Sequence, residues 1–252
     1  MKKRLGVLDS GIGGLTFVDA IMRQKLNLDL LYVSDSKNVP YGNKSQRFMQ
    51  QQIAIMMTAL VAKKVDAVLM ACNTATAETI DQMRQQFEVP IIGIEPYMRH
   101  PQLNPSDQQR KYALILTPAT KASARFQRLQ KQNDPEGLID VFALERFALA
   151  VESLKHRTLS EVEHTLAVEL APLQQKNYTH VILGCTHYAI VSQWIAQQLN
   201  VEMIDPTPNI IAHLKNAMQV SAGENRSNFL YSENCGQTWT QKNIREFSFL
   251  GQ

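Results

Sequence analysis

The sequence predicts an α/β protein made of two pseudo-symmetric parallel-sheet domains that face one another. Three observations carry this. Short apolar runs alternate with amphipathic segments along the chain, the rhythm of strand–helix–strand units in a helix-covered parallel sheet. A polar break with three prolines, EPYMRHPQLNPSDQQRK (95–111), interrupts that rhythm, which then restarts. The two parts also share a grammar. DAVLMACNTATAETIDQM…VPIIGIEP and THVILGCTHYAIVSQWI…VEMIDP each run strand, Cys, a Thr within two residues, helix, strand, and an acid before Pro. Their openings, RLGVLDSGIGGL and YALILTPATKAS, match as well.

In chain order, LGVL (5–8) reads as a strand and SGIGGLTFVDAIMRQKL as a Gly-rich turn entering a helix. LLYVS (30–34) is a strand, followed by a polar loop with PYG (40–42). SQRFMQQQIAIMMTALVAKK is a helix with Ser45 as N-cap, since a hydroxyl there accepts from a free N–H of the first turn. DAVLMA (66–71) is a strand, TATAETIDQMRQQF a helix and PIIGI (90–94) a strand. After the break, YALIL (112–116) is a strand and TPATKASARFQRLQKQ a turn and helix. LIDVFA (138–143) is a strand, with helices over roughly 145–156 and 159–176. THVILG (179–184) is a strand, SQWIAQQL lies in a helix, and VEMID (201–205) is a strand. The tail is expected to hold a helix near 208–220, a strand at NFLYS and a short helix near 237–246. The division this implies is a first domain of 1–96 plus 207–252 and a second of 97–206.

Bulk properties bound the function. The 252 residues, 44% hydrophobic and 19% charged, suit a folded protein with a substantial core. The formal charge is only +3, and no Lys/Arg block interleaves with aromatics, so nucleic acid is not an expected partner. No apolar run is long enough to span a bilayer, so no membrane is expected. MKKRLGVLDSGIGG is not a signal peptide, because Asp9 ends its apolar stretch after four residues. Three cysteines, an odd number, argue against a disulfide framework and for a reducing cytoplasm.

The chemistry lies in two thiols. Working groups of open parallel sheets collect beyond the carboxyl ends of strands. Cys72 and Cys185 both stand there, each just before a helix whose positive N-terminal end favours thiolate. If the two units face each other, the thiols meet across one cleft. Two thiols on opposite faces of a substrate suit inversion of a stereocentre. One removes a proton from carbon and the other returns one from the far side, with no cofactor and no metal. Asp9, after the first strand, and His187, two residues past Cys185, are placed to hold or relay the proton of the nearer thiol. A single Cys after a strand is more often core filler; two in matching positions, flanked by Asn/Thr and Thr/His, are not. DSGIGG lacks the Lys of a phosphate loop but can offer backbone N–H groups to an α-carboxylate. Ser10, Asn73, Thr74 and Thr186 are neutral donors and acceptors suited to an amino acid, and PYG brings Tyr41 and Gly42 to the same sheet edge. Cys235, in SENCGQ, is read as incidental and the Met cluster of IAIMMTAL as core.

DSGIGGL, PYGNK, ACNTATA, PIIGIEP and LGCTHY, in this order, resemble the glutamate racemases of the cofactor-independent aspartate/glutamate racemase superfamily, over about residues 5–205. The resemblance implies two α/β domains with the active site in the cleft between them. It implies interconversion of L- and D-glutamate without cofactor or metal, cytoplasmic supply of D-glutamate for peptidoglycan, and a homodimer. Carried over by motif, Cys72 and Cys185 are the acid/base thiols, Asp9 and His187 their assistants, and Ser10, Tyr41, Gly42, Asn73, Thr74 and Thr186 the substrate contacts. LTPATKAS matches a family segment in part, which adds Thr117 and Thr120. Related aspartate racemases carry Glu where His187 stands and lack this DSG form, which favours glutamate. FALERFALAVES lacks the family's Cys-Pro but keeps Val-Glu at Glu152, Ala189 follows LGCTHY in place of Pro, and the EPYMRHP and KASARF stretches depart from the common pattern. The alternatives are an aspartate or broader amino-acid racemase, and a weakly active or non-catalytic amino-acid-binding paralogue. A zinc site or Cys–His hydrolase is disfavoured by the lack of a C-x-x-C pair or a second nearby histidine, and by the closeness of His187 to Cys185 in sequence.

Overall fold

The computed structural model describes residues 2–99, 110–223 and 228–250. Its elements run β1 (Lys3–Asp9), α1 (Leu15–Arg23), β2 (Leu28–Ser34), α2 (Gln46–Ala62), β3 (Ala67–Met70), α3 (Asn73–Gln86) and β4 (Ile91–Gly93). There follow β5 (Tyr112–Leu116), α4 (Pro118–Ala122), α5 (Ala124–Asn133), β6 (Ile139–Ala143), α6 (Phe147–Glu152), α7 (Leu159–Gln174) and β7 (His180–Gly184). The last are α8 (Thr186–Ile190), α9 (Ser192–Leu199), β8 (Glu202–Ile204), α10 (Thr207–Met218), β9 (Phe229–Ser232) and β10 (Thr240–Gln241).

The strands form two sheets, β10-β9-β2-β1-β3-β4 and β6-β5-β7-β8. Numbered within each half, both contain the order 2-1-3-4, all parallel. The grammar shared by the two halves is thus a shared topology. Connections leave the first and third strands of each sheet in opposite directions, so a crevice opens at their carboxyl ends. Register places the next residues. Leu8 pairs with Met70, so Asp9 and Cys72 emerge side by side from the first sheet. Leu116 pairs with Gly184, so Thr117 and Cys185 are the next residues on neighbouring strands of the second.

Continuous apolar strands form because helices cover both faces. Every residue of YALIL and HVILG is buried. Helix α2 turns Met49, Ile53, Met56, Met57 and Leu60 inward at helical spacing. A Cβ on Gly6 of β1 would lie 2.8 Å from Leu60 Cδ1, so glycine lets α2 settle on the sheet. Ser45 caps α2 as expected, accepting from Phe48 N at 3.3 Å. The largest core cluster runs through both halves, from Leu5 and Val7 to Val181 and Leu183.

Two readings change. The helix expected near 237–246 is instead strand β10, antiparallel to β9, followed by a short 3₁₀ turn at Ile244–Glu246. Cys235 and Gly236 have positive φ and make the hairpin bend, while Asn243 and Glu246 form a capping box that holds only one turn. The single helix after β5 is two, because the extended Ser123 ends α4 and caps α5, accepting from Phe126 N at 3.1 Å. Much of the 95–111 break lies outside the described residues. Among those described, no helix is long and apolar enough to cross a membrane.

Candidate active site

The carboxyl edges of the two sheets meet, and polar side chains stitch them together. Thr186, at the start of α8, donates to Asp9 Oδ2 at 3.0 Å. Thr74, on the first turn of α3, shares hydrogen bonds with Thr117 Oγ1 at 2.8 Å and Thr120 Oγ1 at 3.1 Å. Ile12 N donates to Glu152 Oε2 at 2.9 Å. The glycines of DSGIGG permit this approach: a Cβ on Gly13 would lie 2.5 Å from Thr186 Oγ1 and 2.7 Å from the backbone N of His187. At the rim, Arg125 of α5 donates to Glu95 Oε1 at 2.6 Å and to Asp81 Oδ1 of α3 at 3.0 Å.

Each thiol has its own partners. Cys72 caps α3, accepting from Ala75 N at 3.4 Å, and lies 3.7 Å from Ser10 Oγ. Cys185 Sγ lies 3.9 Å from His187 Nδ1. The imidazole does turn back on the thiol two residues before it, which the five-residue helix α8 makes sterically possible. His187 Nε2 is 2.8 Å from Glu152 Oε2, and Glu152 Oε1 accepts from Lys155 Nζ at 2.9 Å. Asp9 accepts from Gly11 N at 2.8 Å through Oδ1. The Tyr32 hydroxyl donates to the Gly11 carbonyl and so pins the same turn.

The electrostatics of the two sides differ. Burial lifts the Asp9 carboxyl to about 6, against the opposing pull of His187 and the hydrogen bonds from Gly11 and Thr186. Burial, helped by the Asp9 charge, pushes the Cys72 thiol up to about 12. The sequence expectation of a thiolate favoured by the helix start therefore fails for Cys72. A helix terminus supplies about 0.3–1 kcal/mol, less than one pKa unit, whereas burial moves a group by up to about 3–5 units. On the Cys185 side, burial opposes charge on His187, but its bonds to Cys185 and Glu152 raise it well above its ordinary value. Glu152 is held below its ordinary value despite burial, by His187, Ile12 N and Lys155.

The structure thus brings together Asp9, Ser10, Cys72, Asn73, Thr74, Thr117, Thr120, Cys185, Thr186 and His187, all buried. Asn73 Nδ2 is buried with no acceptor among the described residues and borders two narrow crevices, one toward Cys185 and Thr186, the other toward Glu95 and Arg125. Gly42 sits close to Thr117, where a Cβ would meet the Thr117 Cβ at 3.1 Å. Tyr41 is buried beside it but gives its hydroxyl to Asp35 Oδ2 at 3.0 Å and packs edge-on against Phe48. The sequence reading passes over Lys155 and notes Glu152 only as a match to the family's Val-Glu, without a role. An acid at the end of the apolar run FALAVES is the signal for Glu152, and the i,i+3 spacing of Lys155 from that acid is the signal for Lys155.

Comparison with known proteins agrees with this geometry. The sequence profile described as Asp/Glu/Hydantoin racemase matches residues 16–214. A glutamate racemase of Leptospira interrogans is 33% identical over 219 residues, covering 86% of this chain and 83% of the relative. Glutamate racemase 2 of Bacillus subtilis is 30% identical over 224 residues, covering 88% and 83%. Among solved structures, Francisella tularensis glutamate racemase in complex with D-glutamate superposes with a TM-score of 0.70 at 28% identity, covering 91% of this chain and 87% of that one. The Escherichia coli glutamate racemase has the same fold, with a TM-score of 0.80 at 23% identity over 92% and 88% of the two chains. Two like sheets, a thiol at the edge of each, and a match across most of the sequence converge on one conclusion: this chain belongs to the Asp/Glu/Hydantoin racemase family.

Proposed function

We propose that this protein is a cofactor-independent glutamate racemase that interconverts L- and D-glutamate and supplies the D-isomer for peptidoglycan in the cytoplasm. The observation that carries the reading is the pair of buried thiols, each at the carboxyl edge of its own sheet, Cys72 beside Ser10 and under the charge of Asp9, Cys185 beside His187. In the forward step one thiolate takes the Cα proton: the C–H bond breaks, an S–H bond forms, and the electron pair is delocalised into the α-carboxylate. The opposite thiol then gives its proton to the other face. The reverse reaction exchanges the roles.

With the Cys72 thiol pushed up to about 12 and the Asp9 carboxyl to about 6, burial opposes the charged form of each. A bound amino acid changes this, because its ammonium favours the charged forms of both neighbouring groups. Asn73 Nδ2, with no acceptor among the described residues, is suited to a substrate carboxylate, as are the hydroxyls of Ser10, Thr74, Thr117, Thr120 and Thr186. Tyr41 and Gly42 complete the wall. Thiols this buried reach substrate only if the sheets part, breaking the Thr74 and Thr186 bonds that a ligand would replace. The same reading divides the chain into domains of 1–96 plus 207–252 and 97–206. The drawing of one sheet from residues 3–93 and 229–241, and of the other from 112–204, supports that division. The reading includes a homodimer, which light scattering tests.

The deciding experiment is incubation with L-glutamate in D₂O, following optical rotation and Cα deuterium together, with Cys72→Ala and Cys185→Ala beside the wild type. Inversion with deuterium uptake, lost in both variants, is expected. Full inversion by either variant overturns the two-thiol mechanism. If glutamate is inert, a panel including aspartate separates altered specificity from a binder that only gains thermal stability with ligand.

A further inference from the structure

Beyond the two thiols and their immediate partners, the Cys185 side continues outward. Cys185 Sγ, His187 Nδ1 and Nε2, Glu152 Oε2 and Oε1, and Lys155 Nζ follow one another in a chain of contacts, with steps of 3.9, 2.8 and 2.9 Å. Glu152 is 3% exposed and the Lys155 side chain 25%, so these contacts lead from the buried thiol to solvent. On the Cys72 side, Asp9 is fully buried and, among the described residues, bonded only inward, to Gly11 N and Thr186 Oγ1.

We propose that Lys155 is a positioning residue for the Cys185 half of the proton transfer, holding Glu152 ionised and oriented so that His187 is kept charged toward the thiol. The geometry is local and built in. The 3₁₀ turn Ser153–Lys155 directly follows α6 and puts residue 155 over residue 152 at i,i+3 spacing. Ser153 Oγ secures that turn by donating to the Ala150 carbonyl at 2.6 Å. Among the described residues Glu152 Oε2 has two donors, Ile12 N and His187, whereas Oε1 has only Lys155. A buried carboxylate oxygen without a donor is costly, so removing the ammonium favours protonation of Glu152. His187 then loses its counter-charge. The thiol benefits from the reverse arrangement: when Cys185 gives its proton to His187 Nδ1, the S–H bond breaks, an N–H bond forms, and thiolate, imidazolium, carboxylate and ammonium alternate in sign.

The other charged or titratable groups about Glu152 do not supply this function. Asp9, at the end of β1, repels it. Tyr32 of β2 and Tyr231 of β9 face it as neutral phenols. Glu169, on the helix α7 packed against α6, accepts instead from Arg146 N.

The proposal rests on the racemase reading for its kinetic consequence but not for its chemical one, so the test has two arms. Lys155→Met and Lys155→Arg are compared with wild type, after thermal melts establish that both fold. In the first arm, limiting iodoacetamide is applied from pH 6 to 9, and alkylation at Cys185 and Cys72 is read by peptide mass spectrometry as a ratio within each sample. That ratio cancels any change in how often the cleft opens. Lys155→Met should lower it about tenfold, the effect of losing one charged hydrogen bond, and Lys155→Arg should restore most of it. In the second arm, the acid limb of the kcat/KM profile for glutamate should move up by about one pH unit in Lys155→Met, with KM little changed. An unchanged Cys185/Cys72 ratio in Lys155→Met overturns the proposal, as does an equal fall in Lys155→Arg. A changed ratio in a protein that does not racemise glutamate would instead leave the proposal standing and remove the functional reading.

Discussion

Asp9→Asn should stabilise the protein while disabling it. Asp9 is fully buried, and its carboxyl sits at about 6 in place of 3.8. At 1.36 kcal/mol per unit, holding it charged in the folded state costs about 3 kcal/mol above pH 6. Asparagine keeps the hydrogen bonds: its Oδ1 still accepts from Gly11 N, and its amide faces Thr186 Oγ1, which turns to accept. Folded Asp9 holds its proton up to about pH 6, whereas the unfolded chain releases it near 3.8. Folding therefore takes up a proton between these values, and wild-type stability falls as pH rises through that window. The variant lacks this term. Its advantage in denaturant melts should be largest at pH 7.5 and fall to about half at pH 5. In thermal melts the full term amounts to several degrees, at about 2–4 °C per kcal/mol for a chain this long. In the same variant, racemisation should fall by about 10²–10⁴-fold, the usual contribution of a positioned acid or base. A variant no more stable than wild type at pH 7.5, or an advantage that does not shrink at pH 5, would refute the assignment of Asp9 as a carboxylate held charged at a cost in stability.

Other substitutions test separate contacts. Gly13→Ala places a Cβ 2.7 Å from the backbone N of His187, which cannot rotate away. It should cost about 1–3 kcal/mol in urea melts and lower kcat/KM by displacing Thr186 from Asp9. Arg125→Ala removes two partly exposed ion pairs at the cleft rim. The unfolding midpoint should shift by no more than about 1 kcal/mol, while KM for glutamate rises severalfold; an unchanged KM means the rim contact does not hold the closed form. Phe147→Ala empties a fully buried ring site packed edge-on against Tyr188 at 4.8 Å. A loss of about 3–5 kcal/mol in denaturant melts is expected, and a loss under 1 kcal/mol would mean that the Tyr188 side of α8 repacks without it.

Much of the fold and part of the site were legible along the chain. Strands such as YALIL and HVILG announce themselves because parallel strands covered on both faces must be apolar throughout. Ser45 announces the start of α2 because a hydroxyl before a helix satisfies its free N–H groups. The tail was misread at 237–246, where TQKNIREF has helix-forming residues but pairs through Thr240 and Gln241 with Tyr231 and Leu230. That hairpin builds on β9, which is held in the sheet by β2 through pairs such as Leu31 with Leu230, a long-range contact that local propensity does not contain. The cysteines stood out because each follows a strand and precedes a helix, an adjacency written in the sequence itself.

The sequence by itself determined the alternation of strands and helices, the two matching halves, and the arrival of one thiol at the edge of each. These depend on residues next to one another in the chain. Only the tertiary structure decided what the thiols meet. It set Asp9 against Cys72, 63 positions away, under enough burial to raise both groups and overrule the helix start that favours thiolate. It also ran Glu152 and Lys155 behind His187. Charge interactions depend on distance and burial rather than on order along the chain, so these arrangements exist only once the strands and helices of each half have packed together.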